Sequence, residues 1–300
     1  MYSSVSSSAS SVLKPDFVIL DLEWNGSYSK RDKKFYNEII EFGAVKTDSN
    51  LNIIDTFSML VTPTIGKKLN SRIKALTNIT NEELKDAHNT FADVSEKFGE
   101  FLGDSVLLTW GNSDIHALME NYGYYFGDDR PPYLTKYCDL QIYCEFALGV
   151  HDKGKQLGLS TCADLLNIDR NDLVLHRALT DAELSLLCFR KCYNEEKIKK
   201  YISNCDLEFY KKMTFRTTFI TDIENPLIDK SLWTFTCPEC HTAVKQVSDW
   251  VVKNRSFRAK CNKEFIARVI CKLRYEGVTV NKKLTIPRPP EAKENDNNNK

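Results

Sequence analysis

Hydrophobic residues change their spacing along this chain in a way that separates strands from helices. Residues 16–24, DFVILDLEW, form an apolar run of strand length, rich in Val, Ile and Phe, and the turn-like pair Asn25-Gly26 follows. That pattern predicts a buried strand. A polar stretch containing SYSKRDKK separates it from EIIEFGAVKTD, and strand-like alternation from Leu51 to Val61 ends at Pro63, which predicts a three-strand meander. Thr80 and Glu83 have capping-box spacing and open a helix at ITNEELKDA, after which Phe91, Val94, Phe98, Phe101 and Leu102 recur at helical spacing. SVLLTW, residues 105–110, returns to strand, and helical patterns then dominate 112–124, 139–149, 160–167 and 178–192, with 194–203 a charged extension. Strands first, then helices mixed with short strands, predict an α/β class with a central mixed sheet flanked by helices.

A chain of 300 residues suits two globular units. Periodicity fades over 204–231, which contains Asn225-Pro226 and is expected to be a linker between a domain at 16–203 and a small module at 232–286. The Ser-rich residues 1–15 and the polar residues 287–300 are expected to be disordered tails. No run approaches the ~20 apolar residues that span a bilayer, and the start has no secretory pattern. Of ten Cys, Cys138, Cys144, Cys162, Cys188 and Cys192 sit among apolar residues, as small core side chains do. A reduced, cytoplasmic protein is the expectation.

Charge adds a constraint. Lys+Arg 41 balance Asp+Glu 41, so affinity for an anionic partner has to come from a local patch. Acidic residues are the more informative set. In a strand, Asp21 and Glu23 point to one side while Leu20, Leu22 and Trp24 point to the other. Two carboxylates at the edge of a buried strand repel each other and lose hydration, costs that hard Mg²⁺ or Mn²⁺ offsets. Asp114 follows a strand and can open a helix; His176 precedes a helix, and Asp181 lies in its first turns, opposite Leu184 and Leu187. Singly, each has an ordinary role: solvent exposure for the acid pair, a first-turn acid for Asp114, a surface histidine for His176.

Together these segments resemble the DEDDh group of 3′-to-5′ exonucleases, a branch of the ribonuclease-H-like superfamily, across roughly residues 16–192. DLEWN, WGNSD and HRALTDA are similar to the three motifs of Eri-type exoribonucleases and KapD-like bacterial proteins, and LTNIT at 76–80 is similar to the loop after the third strand. The resemblance implies a mixed five-stranded sheet, with Asp21, Glu23, Asp114 and Asp181 holding two Mg²⁺ or Mn²⁺ ions and His176 as general base. It also implies substrate contacts at Trp24, Leu76 and Thr77. Trp24 stands where many members have Thr. A Tyr-type member would have Tyr four residues before the last Asp, the position of Arg177, so His176 selects the His-type branch. The implied partner is nucleic acid with a free 3′ end, single-stranded RNA by resemblance. A proofreading-type DNA exonuclease and an inactive nucleic-acid-binding protein are the competing readings.

The C-terminal module adds CPEC, Cys237 to Cys240, the usual half of a tetrahedral zinc site, with Cys261 placed to return as a third ligand. His241, Glu264 and Cys271 are candidates for the fourth, in a zinc-ribbon-like fold. The competing reading is a decayed knuckle without metal. Between Lys245 and Arg274, basic residues far outnumber Asp249 and Glu264, with Trp250, Phe257 and Phe265 interleaved. Phosphate contacts by residues such as Arg258 and Lys260, over a small aromatic core, are expected.

Overall fold

The computed structural model describes residues 15–66, 68–151, 156–170 and 177–286. Most of both expected tails, and His176, lie outside the described residues. The chain forms two compact units, Met1–Tyr210 and Lys211–Lys300.

In the first unit the order is β1 (Phe17–Ser29), β2 (Lys34–Thr47), β3 (Ile53–Leu60), α1 (Ser71–Thr77), α2 (Asn81–Asp86), α3 (Phe91–Leu102), β4 (Val106–Thr109), α4 (Ser113–Phe126), β5 (Lys136–Asp139), α5 (Leu140–Leu148), α6 (Leu159–Leu165), α7 (Ala178–Cys192), α8 (Glu195–Ile198), β6 (Ser203–Asn204) and α9 (Leu207–Thr214). The division between the units falls inside α9.

The expected central mixed sheet is present, with six strands rather than five, in the order β3-β2-β1-β4-β5-β6. The sixth is the two-residue edge strand β6, which pairs with β5 through Tyr137 and Ser203 and carries no apolar pattern of its own. β1 runs parallel to β4, and β4 to β5, while β2, β3 and β6 are antiparallel to their neighbours. Phe17, Ile19, Val106, Leu108 and Cys138 of the sheet pack with Leu184, Leu186, Cys188 and Phe189 of α7 in the main core, together with Cys144 of α5 and Cys162 of α6. Thr80 and Glu83 form the reciprocal capping box of α2, as their spacing predicts.

Asn25-Gly26 is not a turn. β1 continues to Ser29, paired with β2 as far as Ser29↔Lys34. The Asn25 side chain, buried, instead donates to Ser27 Oγ (3.1 Å) and to the Lys68 carbonyl (3.2 Å), and accepts from the Asn70 N–H (2.9 Å). Satisfying a buried amide in this way fixes the 68–70 loop against the strand. The register between β1 and β2 shifts after Glu23↔Glu41, a bulge that lets β1 change direction just beyond its acid pair.

The second unit is mostly sheet. β7 (Thr218–Ile220) is followed by a 3₁₀ turn at Lys230–Leu232, then β8 (Phe235–Thr236), β9 (Ala243–Val244), β10 (Val251–Lys253), β11 (Ser256–Lys260), β12 (Ile266–Arg274) and β13 (Gly277–Thr285). β10-β11-β12-β13 form an antiparallel sheet to which β7 adds beside β12, and β8 pairs with β9. The stretch expected as a linker thus contains helix α9 and a strand of the second sheet. Ile220 of β7 joins Trp233, Phe257, Val269 and Cys271 in that unit's core, a long-range burial that local periodicity does not reveal.

Candidate active site

The acids converge because three elements are locked to one stretch of β1. Leu20 and Leu22 are buried, so strand alternation turns Asp21 and Glu23 to the opposite side, where both are half-buried. β4 runs parallel to β1 with Thr109 beside Leu20, so the chain leaving β4 enters α4 close to Asp21. α4 is then fastened twice on one face, two turns apart. Asp114 Oδ1 accepts the Leu22 N–H at 2.9 Å, and Asn121 Oδ1 accepts the Ile39 N–H at 3.1 Å, at the bulge, while its amide donates to the Asn37 carbonyl at 2.7 Å.

α7 is positioned by β2. Glu41, opposite Glu23 in the register, is buried, and it accepts from Arg177 at 2.6 and 3.0 Å and from the Ala178 N–H at 3.2 Å. Two strand positions further, Gly43 lies opposite Asp21. A Cβ there would meet the Leu179 nitrogen at 2.0 Å and the Ala178 carbonyl carbon at 2.1 Å, so only glycine lets the first turn of α7 lie this close to the sheet. That turn carries Asp181.

The result is that carboxylate oxygens of Asp21, Glu23 and Asp181 all lie within 4.8 Å of one another. Asp114 belongs to the same neighbourhood but not to that trio, and one of its two oxygens accepts the Leu22 N–H. At an effective dielectric near 20, each ionised pair at such a distance repels by about 3 kcal/mol. Protonation responds accordingly. Burial, then the charges of Asp114, Asp181, Glu23 and Glu41, pushes Asp21 well above the carboxylate range. Glu23 is pushed up to about 8 by burial, then Asp181, Glu41 and Asp114. Burial raises Asp114 to about 7 against the lowering effect of the Leu22 N–H. Arg177 lowers Glu23 only as the smallest contribution, because its guanidinium is bound to Glu41. A divalent cation offsets the mutual repulsion of these carboxylates, and the donor set of hard carboxylate oxygens fits one.

Among the other expected site residues, Trp24 is half-buried and Leu76 exposed, at the end of α1. Thr77 is fully buried, and its hydroxyl donates to the Ile73 carbonyl and accepts the Ile79 N–H at the helix end. Glu41, Gly43, Arg177 and Asn121 escaped the sequence reading as positioning residues. EIIEFG offered one signal, an acid within an otherwise apolar strand, which a buried position can hold only with a partner.

The cysteine group behaves differently. Among the described residues, the acid trio is the one set of three metal-ligating side chains gathered around a common point, and Cys237, Cys240 and Cys261 form no such set. Cys237 and Cys261 pack with Phe265 and Ala267 as core residues, while Cys271 lies in the separate Trp233–Phe257 cluster. Exposed Cys240 instead meets the Lys263 ammonium at 2.7 Å. That contact, with the Thr242 hydroxyl, lowers its thiol to about 6.

The mixed sheet with acids from β1, α4 and α7 has the architecture of ribonuclease-H-like nucleases. Comparison with known proteins gives the family: the Exonuclease (RNase_T) family model matches residues 18–189. The chain belongs to that family. Over 109 residues it is 35% identical to the probable 3'-5' exonuclease KapD of Bacillus subtilis (strain 168), a match covering 35% of this chain and 51% of KapD, about half the length of that relative. The nuclease domain of 3'hExo, a DEDDh family member bound to rAMP, superposes with a TM-score of 0.52 at 22% identity, covering 66% of this chain and 99% of that one. E. coli exonuclease I in complex with a dA16 oligonucleotide gives 0.50 at 15% identity, covering 85% of this chain and 54% of that one. At these identities the structural likeness speaks for the fold.

Proposed function

We propose that this protein is a metal-dependent 3′-to-5′ exonuclease that releases nucleoside 5′-monophosphates from single-stranded RNA. The observation that carries the reading is the gathering of Asp21, Glu23 and Asp181 within 4.8 Å, with Asp114 behind them, on an exonuclease-family fold. Asp21, Glu23 and Asp181 would hold divalent metal, with Asp114 as the fourth acid, sharing charge with Asp21. Two bound Mg²⁺ or Mn²⁺ ions would supply charge neutralisation on the phosphoryl oxygens and on the departing 3′-oxygen.

The chain's own residues do the rest. His176 takes the proton of the attacking water, a task suited to an imidazole that is neutral near pH 7. Arg177, tied to Glu41, anchors the residue that follows it. Preference for RNA rests on the motif resemblance to Eri-type exoribonucleases. A reduced compartment, the cytoplasm, suits ten free cysteines, and no helix among the described residues is long and apolar enough to cross a membrane.

The deciding experiment incubates purified full chain with 5′-labelled RNA and DNA of one sequence, with Mg²⁺, Mn²⁺ or chelator. Stepwise shortening of RNA from a free 3′ hydroxyl, blocked by a 3′ phosphate and lost in His176→Ala, is expected. Shortening of DNA in preference reassigns the sugar, and binding without cleavage of either strand leaves the inactive nucleic-acid-binding reading. In the second unit we read the Cys240–Lys263 contact as an ion pair in place of zinc, and about one zinc per purified chain would overturn this.

A further inference from the structure

We infer that the open face of the C-terminal sheet is a binding site for the phosphate backbone of a single-stranded polynucleotide, centred on Arg258, Arg268 and Lys283. The ligand class rests on the nuclease reading above; the site itself rests on the sheet. Alternation sorts the strands cleanly. Phe257, Ala259, Ala267, Val269 and Cys271 are buried in the core, so Arg258, Lys260, Arg268 and Lys272 stand on the opposite face. The ladders then align them: Arg258↔Arg268 and Arg268↔Lys283 are direct cross-strand partners, placing three cations in one row across β11, β12 and β13.

Like charges directly opposite each other destabilise a sheet unless a counter-charge lies across them. None comes from the sheet. Strands β7 and β10 to β13 contain no Asp or Glu. Among the described residues, the ion pairs of this unit, Lys212–Glu276 and Lys230–Glu224, involve other lysines. Arg258 Nε reaches only the Ser256 hydroxyl, at 3.3 Å, and Arg268 Nε is buried with no hydrogen-bond partner at all. With no carboxylate beside it among the described residues, the guanidinium charge of the row is left for an anionic oxygen from outside the sheet.

Two rows along the same face, past Ile270 and Asn281, a second feature makes a polynucleotide a better fit than a plain polyanion. Lys272 pairs across with Phe219 of β7, and both its ammonium (5.1 Å) and the Arg255 guanidinium (5.2 Å) lie over the Phe219 ring. An aromatic ring among backbone-binding cations is the combination with which proteins hold single strands without reading sequence.

The test measures binding of the full chain to a 3′-phosphorylated oligoribonucleotide in chelator, by fluorescence anisotropy across a salt series, so hydrolysis plays no part. Each phosphate contact on a single strand contributes about 0.7 to the slope of log affinity against log salt. The triple variant Arg258→Ala, Arg268→Ala, Lys283→Ala should therefore flatten the slope by about 2 and weaken binding at low salt on the order of 100-fold. Single variants, which disturb the sheet less, should each remove about 0.7. Phe219→Ala should weaken a normal strand about tenfold and leave an abasic strand unchanged.

An unchanged slope overturns the inference. So does an equal loss when Lys191, Lys199 and Lys200 of the first unit are neutralised instead, which would reduce the effect to net charge. Loss of binding to phosphatidylserine vesicles with the RNA slope intact would give the face to a membrane and likewise overturn it. A parent protein that binds RNA through this row but hydrolyses nothing would sink the nuclease reading and leave the site standing.

Discussion

The two units concentrate opposite charge by the same device. In the first, β1, α4 and α7 bring Asp21, Glu23, Asp114 and Asp181 together, with the nearest guanidinium bound elsewhere, to Glu41. In the second, a sheet without acids lines up Arg258, Arg268 and Lys283. The balanced total of 41 against 41 is therefore the sum of two unbalanced fields, and each is arranged for a counter-charge from outside the chain. The difference lies in depth. Buried and half-buried acids held from three elements suit a small, hard cation, whereas a row of arginines and a lysine on a sheet suits a long flexible polyanion.

The sharpest break in this comparison removes one acid. Asp21→Asn should cut hydrolysis by about 10³-fold or more, the several kcal/mol that bound metal contributes to the transition state, while RNA affinity survives through the second unit. Turnover near the parent level in matched Mg²⁺ would end the metal assignment. Removing the clamp comes next. Arg177→Ala leaves Glu41 buried without its ionic partner and should lower unfolding free energy by about 3 kcal/mol, read by chemical denaturation. Gly43→Ala forces the backbone of α7 away from Asp21 and should cost about 2 kcal/mol, with weaker metal binding as the accompanying loss. Parent-like stability and metal affinity in that variant would mean that α7 does not depend on this close approach.

A smaller effect is visible in pH dependence without metal. Glu23 and Asp114 titrate at about 8 and about 7 in the folded chain, above their ordinary 4.5 and 3.8. Between those limits the folded state binds more protons than the unfolded one, so stability should fall as pH rises from about 5 to about 8. Mn²⁺ binds the ionised acids and should flatten the fall. Melting curves at several pH values, with chelator or Mn²⁺, check both signs; a metal-independent profile would count against the site. Least in size is the ion pair of the second unit. Lys263→Met should raise the Cys240 thiol from about 6 toward its usual range, and slow its alkylation by iodoacetamide at pH 6.5 several-fold.

Much of this was legible in the chain itself, where the physics is local. Alternation in DFVILDLEW placed Asp21 and Glu23 on one side of a strand, the capping box fixed the start of α2, and motif order pointed to the exonuclease family. What stayed hidden depended on partners far along the chain. Asn25-Gly26 has the composition of a turn, yet pairing with β2 carries the strand through it, because the Asn25 amide finds partners at Lys68 and Asn70. β7 lacks an apolar pattern of its own and exists by joining β12. CPEC with Cys261 has the spacing of a metal site, but Lys263 reaches Cys240 through space.

The sequence by itself determined which side chains could do chemistry, since residue type and strand or helix period are properties of neighbours in the chain. Only the tertiary structure decided which of them act on one another. Asp181 reaches Asp21 and Glu23 because Gly43 has no Cβ and Glu41 holds Arg177, and Arg258, Arg268 and Lys283 form a row because antiparallel register brings distant positions face to face. Those are contacts across tens of residues, set by close packing and ladder geometry rather than by any local pattern.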